Sequence, residues 1–213
     1  MGQLQEHSQY GLENHGLNNE ASAHWNLGPE ALYEATIREG SGAVSQGGAL
    51  VVETGAYTGR SSNDKFIIEE DTSRDNIWWG AVNKGNTEER FNALRLQMLA
   101  YLQRREIYVQ DLVVGADPAY QLKVRVISES PWHSLFARNM FRQPSAEERA
   151  NFVPELTILN TPYYKTDAER DGVNSDCAIM MNFKERIVLI TGTQYAGEIK
   201  KSVFSYLNYV LPD

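Results

Sequence analysis

The sequence has a single cysteine, Cys177, in 213 residues. One thiol cannot form an internal disulfide, which excludes a disulfide-rich secreted scaffold and suits the reducing cytoplasm. Long apolar runs are missing too, since no stretch approaches the roughly 20 residues of a membrane-spanning helix. The polar N-terminus has neither the basic region nor the apolar core of a secretory signal. We therefore expect a cytoplasmic protein with no membrane partner.

Positive charge is also scarce. The chain has 20 Lys and Arg residues against 28 Asp and Glu, for a net charge of −8. Sequence-independent nucleic-acid binding needs clustered Lys and Arg, so this class is excluded and no nucleic-acid partner is expected. The phosphate-binding patterns G-x-x-x-x-G-K-[ST] and G-x-G-x-x-G are absent as well.

The order of apolar and polar segments predicts a mixed α/β fold, with a mixed β-sheet flanked by helices. Strands and helices interleave without the strict alternation of a doubly wound parallel sheet. Residues 1–27 lack any sustained period and are expected to form a partly extended lead-in to one domain, residues 28–213. The predicted helices are 29–38, an amphipathic helix capped by Thr87, 132–141 and 197–209. The predicted strands are 49–53, which we expect to be buried, 66–68, 107–114, 122–127, 156–159, 178–182 and 187–191.

The last predicted strand leads through a glycine-containing loop, 191–197, into the final helix. A helix N-terminus presents free backbone N–H groups and a positive dipole end, which favour an anionic ligand. Gly197 allows close backbone approach, and Tyr195 adds a phenolic donor. Lys200 and Lys201 are adjacent, so one could point toward a site and the other beside it. The alternative is an ordinary strand–loop–helix with solvated lysines.

Arg60 lies in a second glycine-containing loop, 54–61, directly after the predicted strand 49–53. Its guanidinium could form a bidentate pair with a carboxylate or a phosphate. A surface salt bridge is the simpler alternative, and the spacing alone does not decide between them.

Other reactive side chains have structural interpretations. His133 follows Trp132 without a second metal ligand at helical spacing, which favours a hydrogen-bonded packing residue. A metal role is not expected for His7, His15 and His24 in the lead-in. Cys177 is expected to be a small buried residue. Trp78 and Trp79 are expected in the core or at an inter-domain surface rather than as a base-stacking platform.

Three long segments resemble the ATP-dependent phosphoenolpyruvate carboxykinases. The family pattern T-G-R-S-P-x-D-K-F corresponds to Thr58–Phe66, with Ser62 in place of the proline. The pattern R-V-I-x-E-x-x-W-H-x-L-F-x-x-N-M-F corresponds to Arg125–Phe141, and T-x-Y-A-G-E-x-K-K-S-x-F to Thr193–Phe204. The resemblance extends from about residue 10 to the C-terminus and is specific, because three long motifs occur in the family's order. The serine at position 62 departs from the family and is expected to loosen the loop that presents Arg60.

The resemblance implies a lyase of gluconeogenesis. Such enzymes decarboxylate oxaloacetate and phosphorylate the enolate with ATP, giving phosphoenolpyruvate, carbon dioxide and ADP. By the matching motifs, Arg60, Tyr195, Gly197 and Lys201 are expected to bind substrate, Arg60 by holding a carboxylate and the departing carbon dioxide. Lys201 is expected to ligate the catalytic Mn²⁺, which requires a neutral amine and hence a strongly depressed pKa. Lys200 would stay charged and stabilise the transferring phosphoryl group, so that the catalytic residues are Arg60, Lys200 and Lys201.

The family continues into a histidine metal ligand, a P-loop, an acidic metal-binding motif and an adenine site, none of which occurs before Asp213. We therefore expect the substrate-binding N-terminal part of the enzyme, inactive alone and packing on a C-terminal domain that it lacks. That domain would provide most of the contacts to Mn²⁺ and to Mg²⁺-ATP. The alternative is a non-catalytic dicarboxylate-binding or interaction module derived from the same domain.

Overall fold

The computed structural model describes residues 10–18 and 22–211. Ten strands and six α-helices occur in this part of the chain, with short 3-10 turns between some of them. The strands are β1 (Ala23–Trp25), β2 (Gly42–Val44), β3 (Leu50–Val52), β4 (Lys65–Ile68), β5 (Lys84–Asn86), β6 (Ile107–Val114), β7 (Leu122–Ser128), β8 (Leu156–Thr161), β9 (Ala178–Asn182) and β10 (Ile187–Thr191). The helices are α1 (Pro29–Arg38), α2 (Glu88–Leu102), α3 (Pro131–Met140), α4 (Ala146–Ala150), α5 (Ala168–Asp171) and α6 (Gly197–Val210).

The predicted mixed α/β class is confirmed. Each of the two units described below combines parallel with antiparallel strand pairs, and β2 and β3 form a separate antiparallel pair. The chain divides into two compact units, Met1–Glu53 with Leu102–Thr157 and Thr54–Tyr101 with Ile158–Asp213. Strand β8 carries residues of both.

In the first unit the strand order is β1–β6–β7, with β1 parallel and β7 antiparallel to β6. Helix α3 packs on β6 and β7, and α1 packs on α3. Their shared apolar cluster contains Leu32, Ala35 and Tyr108, all of which are buried. Burial of such apolar side chains is the main stabilising contribution in this unit.

Arg125 is fully buried inside the first unit, on β7. Its Nε lies 2.7 Å from Asp111 Oδ1 and its Nη2 lies 3.1 Å from Asp111 Oδ2, which makes the pair bidentate. Nη1 donates to the Tyr10 carbonyl oxygen at 2.6 Å, and the guanidinium lies 4.9 Å from the centroid of the Trp25 ring. A charge this deep in the protein is tolerated because its donors are engaged by a carboxylate and a carbonyl.

In the second unit the strand order is β10–β9–β4–β5. Strands β9 and β10 form an antiparallel hairpin, and β4 runs parallel to both β9 and β5. Helix α6 packs on β10. The predicted amphipathic character of α2 is confirmed, because Phe91, Leu94 and Met98, which follow one another at helical spacing, are completely buried.

Several element predictions are confirmed to within one or two residues. They include α1, both strands of the β6–β7 pair, the β9–β10 hairpin and α6. The predicted cap of α2 is present, since Thr87 Oγ1 accepts the Arg90 N–H at 3.3 Å. The strand predicted at residues 49–53 is confirmed as β3, but its predicted burial is wrong: within residues 10–18 and 22–211, β3 pairs only with β2, and Val51 is 52% exposed. Among the described residues, no helix has the length and apolarity needed to cross a membrane.

The N-terminal lead-in is described only in part. Leu12–His15 form a 3-10 turn and β1 lies further along, whereas residues 1–9 and 19–21, including His7, lie outside the described residues. Pro212, a few residues beyond the predicted final helix 197–209, also lies outside them. The division into a lead-in and a single domain stays a prediction.

Candidate functional site

The candidate site is built from the loop between β10 and α6. Gly192 opens this loop with φ +76, a left-handed conformation that favours glycine. An added Cβ would collide with the Asp176 carbonyl oxygen and lie 2.8 Å from Cys177 Cα. The loop therefore approaches the start of β9 so closely that only glycine fits at position 192.

Tyr195 and Gly197 lie against each other at the N-terminus of α6. Tyr195 donates its backbone N–H to Thr193 Oγ1 at 3.2 Å, and its ring packs over Gly197, where an added Cβ would lie 2.5 Å from the ring Cε1. The amides of Glu198 and Ile199 already donate to carbonyl oxygens of the turn. The Gly197 amide, which the sequence assigns to substrate, is not among these bonds. The absence of a side chain here accommodates the tyrosine ring as well as any ligand.

The loop that carries Arg60 belongs to the same unit. The Arg60 side chain is exposed, whereas Ser61 is buried. The Ser61 backbone N–H donates to Glu198 Oε1 at 2.6 Å, and a short 3-10 turn, Ser62–Asp64, follows. The backbone next to Arg60 is thus hydrogen-bonded to the first turn of α6, which begins at Gly197, one of the predicted substrate ligands.

Three cations and one carboxylate are electrostatically coupled at this place. Burial is the main cause of the raised pKa of Glu198, opposed by the Ser61 N–H and by the positive charges of Lys65, Arg60 and Lys201. Burial likewise lowers the pKa of Lys65; Lys201 and Arg60 add to that effect, and Glu198 opposes it. Lys65 Nζ also donates to Ser205 Oγ on α6 at 2.5 Å. The arrangement has an excess of positive charge and suits an anionic ligand.

The two adjacent lysines differ in their surroundings. Lys200 is exposed, whereas Lys201 is half-buried and places Nζ 4.5 Å from the centroid of the Phe204 ring, one turn further along α6. A cation over an aromatic face is attracted by the ring quadrupole. Lys201, like Arg60 and Lys65, lowers the pKa of Glu198 by its positive charge, whereas Lys200 is not among the causes of that shift.

A polar network borders this group of charges. Asp176 accepts hydrogen bonds from the Tyr57 hydroxyl and, at 2.8 Å, from Lys165, which lowers the pKa of Asp176. Burial and the bond to Asp176 raise the pKa of Tyr57 to about 12. Ser175 connects the network to the 3-10 turn, since its hydroxyl donates to Asp64 Oδ1 at 2.9 Å. Sequence reasoning did not identify this network.

Glu198 and Lys65 were missed as well, although both lie inside the motifs that carry the family resemblance. The signal was available in part: Lys65 follows the Arg60 loop closely, and Glu198 directly precedes the segment with the two lysines. A glutamate in the first turn of a helix is common because it complements the helix dipole. Nothing in the sequence distinguishes that ordinary role from a buried contact to another loop.

The described residues contain no cluster of three or more His, Cys, Asp or Glu side chains that could hold a metal ion. Lys201 is the predicted ligand, and the acidic group coupled to it, Glu198, already accepts the Ser61 N–H with one oxygen. The donor set within 10–18 and 22–211 therefore does not fit a Mn²⁺ site by itself.

The remaining sequence candidates have structural roles. His133 is buried with Nδ1 2.9 Å from Ser130 Oγ, and burial lowers its pKa to about 3, which confirms a hydrogen-bonded packing residue. Cys177 is buried as expected, and burial raises its pKa to about 12. Trp78 is 80% exposed, which contradicts a core position, while the alternative of an inter-domain surface stays a prediction.

Comparison with known proteins agrees with the motifs. The sequence model of the phosphoenolpyruvate carboxykinase family matches residues 21–213. The chain belongs to this family. It is 48% identical over 202 residues to phosphoenolpyruvate carboxykinase (ATP) of Geotalea uraniireducens and 48% identical over 206 residues to that of Azorhizobium caulinodans. These alignments include 95% and 96% of this chain but only 38% of each relative. The chain thus spans well under half the length of these family members.

Proposed function

We propose that this chain is the oxaloacetate-binding part of an ATP-dependent phosphoenolpyruvate carboxykinase. The relatives are named for that activity, and the proposal extends it to a chain that spans 38% of their length. In the complete reaction, oxaloacetate and ATP give phosphoenolpyruvate, carbon dioxide and ADP, a step of gluconeogenesis in the cytoplasm. The chain alone would bind substrate without turning it over.

One observation carries the proposal. The charges of Arg60, in a loop, and Lys201, on α6, both act on the buried carboxylate of Glu198. The two segments are joined by the hydrogen bond from the Ser61 amide to Glu198, across 137 residues of chain. Tyr195 and Gly197 lie at the start of the helix that bears this carboxylate. A dicarboxylate would find a guanidinium and a helix N-terminus in one compact unit.

Each predicted residue has a physically reasonable role. Arg60 is exposed and has a planar fork that matches a carboxylate, so it would hold one end of the substrate. Tyr195 would donate its phenolic hydrogen, and Gly197 its backbone N–H. Lys200 is exposed, which suits a charged partner for a phosphoryl group.

Metal and nucleotide binding belong to the longer protein in this proposal. Lys201 is assigned as one ligand to Mn²⁺, and the remaining ligands would have to come from outside the described residues. The same holds for the phosphates of Mg²⁺-ATP, for which the chain has no glycine-rich cradle. This part of the carboxykinase would therefore pack on a nucleotide-binding domain.

Two measurements test the proposal. Calorimetric titration of the 213-residue chain with oxalate, a small stable dicarboxylate, should show binding that is lost in Arg60→Ala. Arg60→Lys should restore little of it, because an ammonium cannot form the bidentate pair. Binding that is unaffected by both variants would refute the assigned site.

The second measurement is ATP-dependent decarboxylation of oxaloacetate by the same chain. No turnover above the uncatalysed rate is expected. Substantial activity would overturn the idea that the chain provides only the substrate side of the site.

A further inference from the structure

Glu198 differs from the other glutamates in the first turns of the helices. Glu30, Glu88, Glu89, Glu147 and Glu148 are all exposed or half-exposed, whereas Glu198 is only 5% exposed. Complementing a helix dipole requires proximity to the helix start but no burial. Because burial disfavours a carboxylate, a buried first-turn glutamate indicates a contact that offsets this cost.

That contact is the hydrogen bond from Ser61. Glu198 Oε1 accepts the Ser61 backbone N–H at 2.6 Å, across 137 residues of chain. The amide belongs to the peptide bond that joins Arg60 to Ser61, so the carboxylate holds the backbone immediately beside the guanidinium. The bond also provides an acceptor for the backbone N–H of Ser61, a residue that is itself buried.

A second connection between the same segments lies close by. Lys65 Nζ, on β4 just after the Arg60 loop, donates to Ser205 Oγ on α6 at 2.5 Å. The two bonds join both ends of the segment 61–65 to one helix. Arg60 lies at the edge of the segment that is fixed in this way, while its own side chain stays exposed.

We propose that Glu198 is a positioning residue that holds the Arg60 loop against the N-terminus of α6 through the Ser61 amide. It would set the distance between the guanidinium and the helix start without touching the substrate. That Glu198 places Arg60 for the substrate rests on the proposed dicarboxylate site. That Glu198 holds the loop does not depend on any substrate.

A pair of variants separates this role from the dipole role. Glu198→Gln keeps the length of the side chain and a carbonyl oxygen that can accept the Ser61 N–H, but loses the charge. Glu198→Asp keeps the charge near the helix start but withdraws the oxygen by one methylene. Positioning predicts that the Gln variant behaves like the wild type and the Asp variant does not; a dipole role predicts the reverse.

The readouts are amide hydrogen exchange of Ser61 and the ¹⁵N{¹H} nuclear Overhauser effect of residues 58–61, together with oxalate titration. In Glu198→Asp, Ser61 exchange should accelerate at least about tenfold and oxalate affinity should fall about tenfold, the equivalent of roughly 1.4 kcal/mol in each case. In Glu198→Gln, both should stay within about threefold of wild type, a difference of less than 0.7 kcal/mol. Glu89→Asp, an exposed first-turn glutamate on α2, is the matched control and should change neither.

The outcomes decide the inference in every case. Unchanged Ser61 exchange and loop dynamics in Glu198→Asp would overturn it, as would a Gln variant that loses affinity while the Asp variant keeps it. If the wild type bound no oxalate, the proposed function would fail. The exchange and relaxation data would still show whether Glu198 holds the loop.

Discussion

The aromatic ring of Tyr195 packs directly over the α-carbon of Gly197, leaving no room for a β-carbon between them. The residue that would bring a phenol to the substrate therefore depends on a glycine two positions later. Glycine at the start of α6 thus has two possible reasons. It lets a ligand approach the backbone, and it leaves room for the Tyr195 ring.

Gly197→Ala is expected to displace the Tyr195 ring while leaving the fold intact. Alanine is the better helix former, and the colliding group is the end of a side chain that can rotate, so the free energy of unfolding should be unchanged or slightly higher. Oxalate affinity should fall about 2- to 10-fold, the contribution of one hydrogen bond. Calorimetry and urea unfolding measure the two effects. Gly80→Ala, where an added Cβ meets nothing within 4 Å, is the control; equal affinities of wild type and Gly197→Ala would contradict the prediction.

Gly192→Ala should be far more destabilising than Gly40→Ala. Both glycines have positive φ, +76 and +71, so alanine carries a similar backbone strain of about 1 kcal/mol at either position. Only at Gly192 would the new methyl group meet backbone atoms, those of Asp176 and Cys177. We expect its additional cost to exceed about 2 kcal/mol in urea unfolding. Similar losses of unfolding free energy in the two variants would show that the backbone at Asp176 and Cys177 can move away from residue 192.

Arg125→Met should destabilise the first unit by about 3–5 kcal/mol, because it leaves the Asp111 carboxylate buried without its partner. The double variant Arg125→Met with Asp111→Leu removes both charges and should recover a large part of that loss. Denaturant unfolding of the two variants measures the difference. A double variant no more stable than the single one would indicate that the guanidinium's contacts with Trp25 and the Tyr10 carbonyl matter more than the ion pair.

His133 is expected to make stability depend on pH. Burial lowers its pKa to about 3 in the folded chain, from an ordinary value near 6.5. Between these two pH values the imidazole is protonated in the unfolded state and neutral in the folded state. This contribution to stability is complete above about pH 6.5 and is lost as the pH falls toward 3. Between pH 7 and 5 the wild type should lose about 2 kcal/mol more than His133→Phe. If the unfolding free energies of the wild type and His133→Phe changed equally between pH 7 and 5, His133 would not be a buried neutral histidine.

Local signals predicted the elements that bury a regular face. Helix α2 shows a capping threonine and an apolar stripe, and the β9–β10 hairpin joins two apolar strands through a short polar turn. Strands β1, β2 and β5 went unpredicted because each is three residues long without the run of large apolar residues found in β3, so that its conformation depends on pairing. Lys84–Asn86 has no apolar alternation and becomes a strand by lying parallel to β4.

The error at β3 has the opposite cause. Its run of Leu50, Val51 and Val52 resembles a central strand, but hydrophobicity does not reveal which partners a strand will find. Pairing only with β2 leaves Val51 half-exposed.

The sequence predicts those residues of the candidate site that stand in recognisable motifs, but not the residues that support them. Arg60, Tyr195 and Lys201 stand in motifs that can be recognised, although only the resemblance connected them. Glu198 and Lys65 act through contacts between segments far apart in the chain. Such pairings depend on the tertiary fold, and a single sequence contains no local signature of them.

The division into two units has a consequence for dissecting the molecule. The chain passes from one unit to the other after Glu53, after Tyr101 and within β8, so each unit is assembled from two separate stretches. No single cleavage or subcloned segment can release either unit whole. Neither unit can fold completely until its second stretch has been synthesised, so the second unit, with its candidate site, is completed after the first.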